Sequence, residues 1–68
     1  MMTFEEWLKD TGLSSSAQHH LPQSLSEKSM RGLMCRPDGE QILVDAIEEI
    51  NHGSIKTIEK LVERRLRK

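Results

Sequence analysis

Four side chains in this sequence, His19, His20, His52 and Cys35, have the chemistry to hold a soft metal ion. Their spacing argues against it. Neighbouring residues on a helix point about 100° apart, so His19 and His20 cannot readily chelate one ion. No Cys-x-x-Cys or His-x-x-x-His pair occurs. No metal and no other cofactor is expected. Catalytic groups fare no better. Ser14, Ser15 and Ser16 have no acid–base neighbour in sequence to activate a hydroxyl. Cys35 has no histidine that the local sequence would place beside it, and a buried free thiol is the expectation. Asp45, Glu48 and Glu49 fall at i, i+3 and i+4, the spacing of carboxylates on the solvated face of a helix. Asp38-Gly39-Glu40 lacks the alternating oxygen ligands of a calcium loop. A chain this short also offers little cleft, so no catalytic residue is assigned and the protein is expected not to be an enzyme.

The remaining chemistry is electrostatic. Lys56, Lys60, Arg64 and Lys68 recur every four residues, with Arg67 on the same side. Like charges at i, i+4 destabilise an isolated helix by about 0.2–0.5 kcal/mol per pair. Cations near a helix C-terminus complement its dipole, which accounts for the last turn but not for Lys56 and Lys60. The stripe is either a solvated face or a partner-binding surface for something negative. An acidic protein surface, including Asp45, Glu48 and Glu49 of a second copy, is the preferred partner. A nucleic-acid backbone is the alternative. Charge distribution favours the first: residues 1–53 carry four basic and nine acidic side chains, net −5, whereas residues 54–68 carry six and two, net +4.

These residues need elements to position them. From Glu40 to Asn51 the apolar side chains Ile42, Leu43, Ala46, Ile47 and Ile50 share one helical arc of roughly 140°, with Val44 outside it. Ile55, Ile58, Leu61, Val62 and Leu66 share a second arc over residues 55–68. Between them, Gly53 suits a left-handed helix stop and Ser54 an N-cap, so a close antiparallel helix hairpin is expected at the C-terminus. Five alternating positions, Ser54 to Ile58, offer a strand over residues 54–60 as the lesser possibility. Upstream, Thr3 and Glu6 have capping-box spacing for a helix over 3–10 with Phe4, Trp7 and Leu8 on one face. Gly12 and Leu13 fit its C-terminal stop, and Trp7 fits a lid on the core. Residues 14–24 read as loop or as a helical turn limited by Pro22. Ser24 and Glu27 have the spacing of a second capping box, opening a helix to Cys35 with Leu25, Met30, Leu33 and Met34 as its apolar positions. Gly32 inside it would allow close helix approach, and Arg36-Pro37-Asp38-Gly39 reads as a turn.

The 68 residues allow one domain, and a core of that size rarely supplies more than about 3–5 kcal/mol. One cysteine cannot form an internal disulfide, so oligomerisation is the expected reinforcement and a reducing, cytoplasmic setting the expected location. No apolar run approaches the ~18 residues of a membrane span, and no signal-peptide pattern opens the chain. The opening Phe4-Glu5-Glu6-Trp7-Leu8 with Gly12-Leu13-Ser14 resembles the start of the helical core-binding domains of tyrosine recombinases, over about a sixth of the chain. The next segment departs from that pattern at His19, His20 and Pro22, and no function is carried over. The expectation is an all-α bundle of three or four short helices. In function it reads as a small non-enzymatic protein-binding adaptor or regulator, acting through a helical surface as a homo-oligomer. A nucleic-acid-binding regulator using the basic C-terminal helix is the alternative.

Overall fold

The computed structural model describes residues 2–67. Among them the chain forms five helices and no strand: α1 (Phe4–Lys9), α2 (Ser15–Ser24), α3 (Glu27–Cys35), α4 (Gly39–Asn51) and α5 (Ile58–Leu66). The all-α reading holds, with one helix more than expected.

Local chemistry sets the first two helices. Thr3 Oγ1 accepts from the Glu6 N–H at 3.2 Å, and the Glu6 carboxylate accepts from the Thr3 N–H at 3.1 Å, so the capping box is complete. Phe4 and Leu8 are buried, and half-buried Trp7 stacks on Phe4 with ring centroids 5.5 Å apart. Gly12, at φ +75°, turns the chain in the left-handed region, and Leu13 returns to the core. The stretch read as loop or a single helical turn is a full helix, Ser15–Ser24. Ser14 Oγ accepts from the Ala17 N–H, and Pro22 sits in the last turn, where the helix ends two residues later.

Two expected caps are wrong. Ser24 does not open α3; it closes α2, its hydroxyl donating to the His20 carbonyl at 3.0 Å. Leu25 is extended and buried, and Ser26 caps α3 by accepting from the Ser29 N–H. Ser54 likewise does not open the last helix. Its hydroxyl accepts from the Lys56 N–H in a local turn, and Thr57 is the N-cap, accepting from the Lys60 N–H at 3.3 Å. The helical stop at Gly53, φ +93°, is as expected. The late start of α5 corrects its apolar arc, since Ile55 lies outside any helix, 99% exposed; in α4, Ile50 is exposed, which corrects its place on that helix's apolar arc. Residues 54–60 form no strand: the first four are connection and the last three open α5.

The core joins Leu8, Leu33, Leu43, Leu61 and Val62, all fully buried, with Ile42 and Ala46 of α4. Helix α3 touches α1, α4 and α5, so it, rather than the C-terminal pair alone, is the hub. Two glycines permit that. A Cβ on Gly39 would lie 2.0 Å from the Leu33 carbonyl oxygen, and one on Gly32 would lie 2.9 Å from Leu66 Cδ1. A carboxylate completes the assembly. Glu59 of α5 accepts from the Ser26 N–H at 2.8 Å, from Ser29 Oγ at 2.9 Å and from Ser26 Oγ at 3.0 Å. It therefore caps α3 from another helix. Ser29 is the one buried polar residue among those described, and this bond satisfies it.

Helix α4 gives a direct check of this packing. Ile47 is half-buried on the core cluster, whereas half-buried Val44 is not among the side chains packed on it. Ile47→Asp is expected to cost about 1–3 kcal/mol, a large part of the stability of a chain this size, and Val44→Asp clearly less. Equal urea midpoints for the two variants would contradict the assigned faces.

Candidate functional site

The structure divides the expected basic stripe. Lys56 lies in the connection before α5 and cannot belong to a helical series, which corrects the four-residue repeat at its first member. Lys60 and Arg64 are exposed on α5, and neither has an ion-pair partner among the described residues. Arg67 is exposed and pairs with Glu63 at 3.4 Å within the helix. Lys68 lies outside the described residues. Arg65, on the side of α5 that faces α4, pairs with Glu49.

The acidic residues of α4 are partly engaged. Glu49 is held by Arg65, and Asp45 accepts from Gln41 Nε2 at 2.8 Å; among the described residues neither Asp45 nor exposed Glu48 has an ion-pair partner. An open groove of about 590 Å³ runs along these three carboxylates, with His52, Gly53, Ser54 and Arg65 completing its lining. His19 and His20 are exposed and meet edge to face, with centroids 5.3 Å apart. Among the described residues no three His, Cys, Asp or Glu side chains come together as a metal site. No helix among them is long and apolar enough to cross a membrane.

A second groove, of about 810 Å³, lies where α1, α2 and α3 meet. Met2, Phe4, Pro22, Met30 and Met34 form its apolar lining, and Cys35 lies at one side. Cys35 is exposed, which corrects the expectation of a buried thiol. Glu5, Glu27 and Arg31 stand at the rim, Glu27 and Arg31 being exposed and paired at 2.9 Å. Periodicity alone missed this site. Leu33, Met30 and Met34 share the apolar side of α3, yet Leu33 is fully buried while the two methionines are only half-buried. The available signal was composition: four methionines against two aromatics.

Electrostatics around the fold are local. Partial burial raises the Glu59 pKa, but the hydrogen bonds from the Ser26 N–H, Ser29 Oγ and Ser26 Oγ outweigh it and hold the carboxyl below its ordinary value of 4.5. The Arg36 guanidinium, hydrogen-bonded to Asp38, lowers that carboxyl in the same direction. Neither group faces the methionine groove.

No family model matches this chain, and comparison with curated proteins and with solved structures finds no match. The likeness of residues 4–14 to recombinase core-binding domains therefore brings no family with it.

Proposed function

We propose that this protein is a small non-enzymatic, cytoplasmic adaptor that grips an apolar segment of another protein in the groove between α1, α2 and α3. The methionine lining carries this reading. Unbranched, polarizable thioethers repack around differently shaped apolar surfaces, a property of adaptable protein-binding grooves. A small-molecule site needs a few polar groups converging on the ligand, whereas Glu5, Glu27 and Arg31 stand at the rim. Lys60 and Arg64, exposed and without an ion-pair partner among the described residues, with Lys56 before them, form a second contact surface suited to an acidic protein. Arg67, paired with Glu63, borders it. Free Cys35 fits a reducing compartment.

The experiment uses protein labelled with ¹³C at the methionine methyls and a synthetic amphipathic helical peptide with an apolar i, i+3, i+4, i+7 ridge and basic flanks. The Met30 and Met34 methyl signals are expected to shift saturably at micromolar peptide. Unshifted signals at millimolar peptide would overturn the reading. A parallel titration with duplex DNA addresses the alternative that the unpaired cations of α5 favour. Salt-sensitive micromolar binding, lost in a Lys60→Glu, Arg64→Glu variant, would assign this surface to phosphates.

A further inference from the structure

Two unpartnered apolar features occupy different parts of this molecule. One is the methionine groove. The other is Ile55, 99% exposed on the connection between α4 and α5. Full exposure forgoes the burial that stabilises an isoleucine side chain, and the connection defines its position. Gly53 turns the chain, Ser54 Oγ accepts from the Lys56 N–H just beyond Ile55, and Thr57 caps α5. Ile55 thus projects from a turn bounded on both sides by specific hydrogen bonds.

Resting on the reading of the groove as a protein-binding site, we infer that its occupant is the Ile55 turn of a second copy of this chain. The charges match. Ile55 is followed by Lys56 and, at the start of α5, by Lys60, both exposed and without an ion-pair partner among the described residues. The groove offers Met30, Met34 and Phe4 as an apolar floor with Glu5 and Glu27 at its rim. Glu27 is tied only by a solvent-exposed pair to Arg31, and such pairs contribute little, so Glu27 is free to exchange partners. An apolar knob with a cationic flank then meets an apolar hole with an acidic rim. The contact joins different surfaces of the two copies. It closes as a dimer when both copies exchange turns and extends as a chain when they do not.

Cys35 lies in the groove and is the chain's one cysteine, so it can report the contact. Ile55→Cys in the otherwise native chain, under mild oxidation, is expected to give dimers or longer ladders on non-reducing gels. Peptide mapping should show a disulfide between position 55 of one copy and Cys35 of another. Links joining only like positions, a 35–55 link within a monomer, or no covalent dimer would each overturn the inference. Independently, Ile55→Ser is expected to weaken self-association roughly tenfold or more without loss of helical signal. Association equal to wild type would overturn it. If the labelled methionines still respond to the helical peptide while the mixed disulfide fails to form, the groove reading stands and the second copy is excluded. If both fail, the groove reading falls as well.

Discussion

Gly39→Ala is expected to leave the chain unfolded. The added Cβ would sit 2.0 Å from the Leu33 carbonyl oxygen and 2.9 Å from the Leu33 carbonyl carbon. Both are backbone atoms, so no side-chain rotation relieves the overlap. Leu33 is fully buried, and three and four residues beyond Gly39 come the buried Ile42 and Leu43. Moving either helix apart therefore opens the centre of the core. Alanine gains at most about 1 kcal/mol of helix propensity over glycine. Separating α3 from α4 is expected to cost more than about 3 kcal/mol, comparable with the whole stability of a domain this small. Gly32→Ala is the control. Its Cβ meets Leu66 Cδ1 at 2.9 Å, the far end of a flexible side chain, and a rotamer shift absorbs it. Far-UV circular dichroism should show helix lost in the first variant and kept in the second. A native-like melt for Gly39→Ala would refute the close approach of α3 and α4.

Glu59→Ala is expected to be the next most damaging change. It strips three hydrogen bonds from the start of α3 and leaves the buried Ser29 hydroxyl with only Ser26 Oγ, 3.2 Å away. Hydrogen bonds to a charged group contribute about 1.5–3 kcal/mol, and the three share one carboxylate, so a loss of about 2–3 kcal/mol is expected. The same site makes stability depend on acid. Because the Glu59 pKa is lower in the folded chain than its ordinary 4.5, its contribution is complete above that value. It is lost as pH falls through it toward the folded value. Exposed Glu6 and Asp38 are lowered as well and add to the trend. The urea midpoint of the native chain should therefore drop as pH falls below about 4.5, and that of Glu59→Gln should drop less. Parallel pH profiles would remove Glu59 as a source of the acid sensitivity.

What could be read before the structure was local. The Thr3–Glu6 box and the left-handed Gly12 and Gly53 involve residues within a few positions of one another, where residue type is enough. The face of α4 was legible for the same reason, because Ile42, Leu43 and Ala46 repeat at helical spacing. Where two hydroxyls competed for one cap, the deciding partner was out of view. Ser26 starts α3 with help from Glu59, 33 positions away, and nothing near Ser24 reveals that. Ser54 lost to Thr57 because its hydroxyl is used in a turn two residues long. Of the expected binding stripe, Lys60 and Arg64 are exposed on the helix, while Lys56 precedes it and Arg67 is paired. The methionine groove was invisible to periodicity, since a helical repeat marks which side is apolar but not what covers it.

The Glu59 cap also has a consequence in time. A ribosome adds roughly 5–20 residues per second, so about two to seven seconds separate the synthesis of Ser26 from that of Glu59. A helix of this length relaxes within about a microsecond. During those seconds the first turn of α3 forms and frays on the order of a million times, held only by the local Ser26 cap and without its anionic partner. Glu59 can therefore join the cap of α3 only after the whole of α4 has been made.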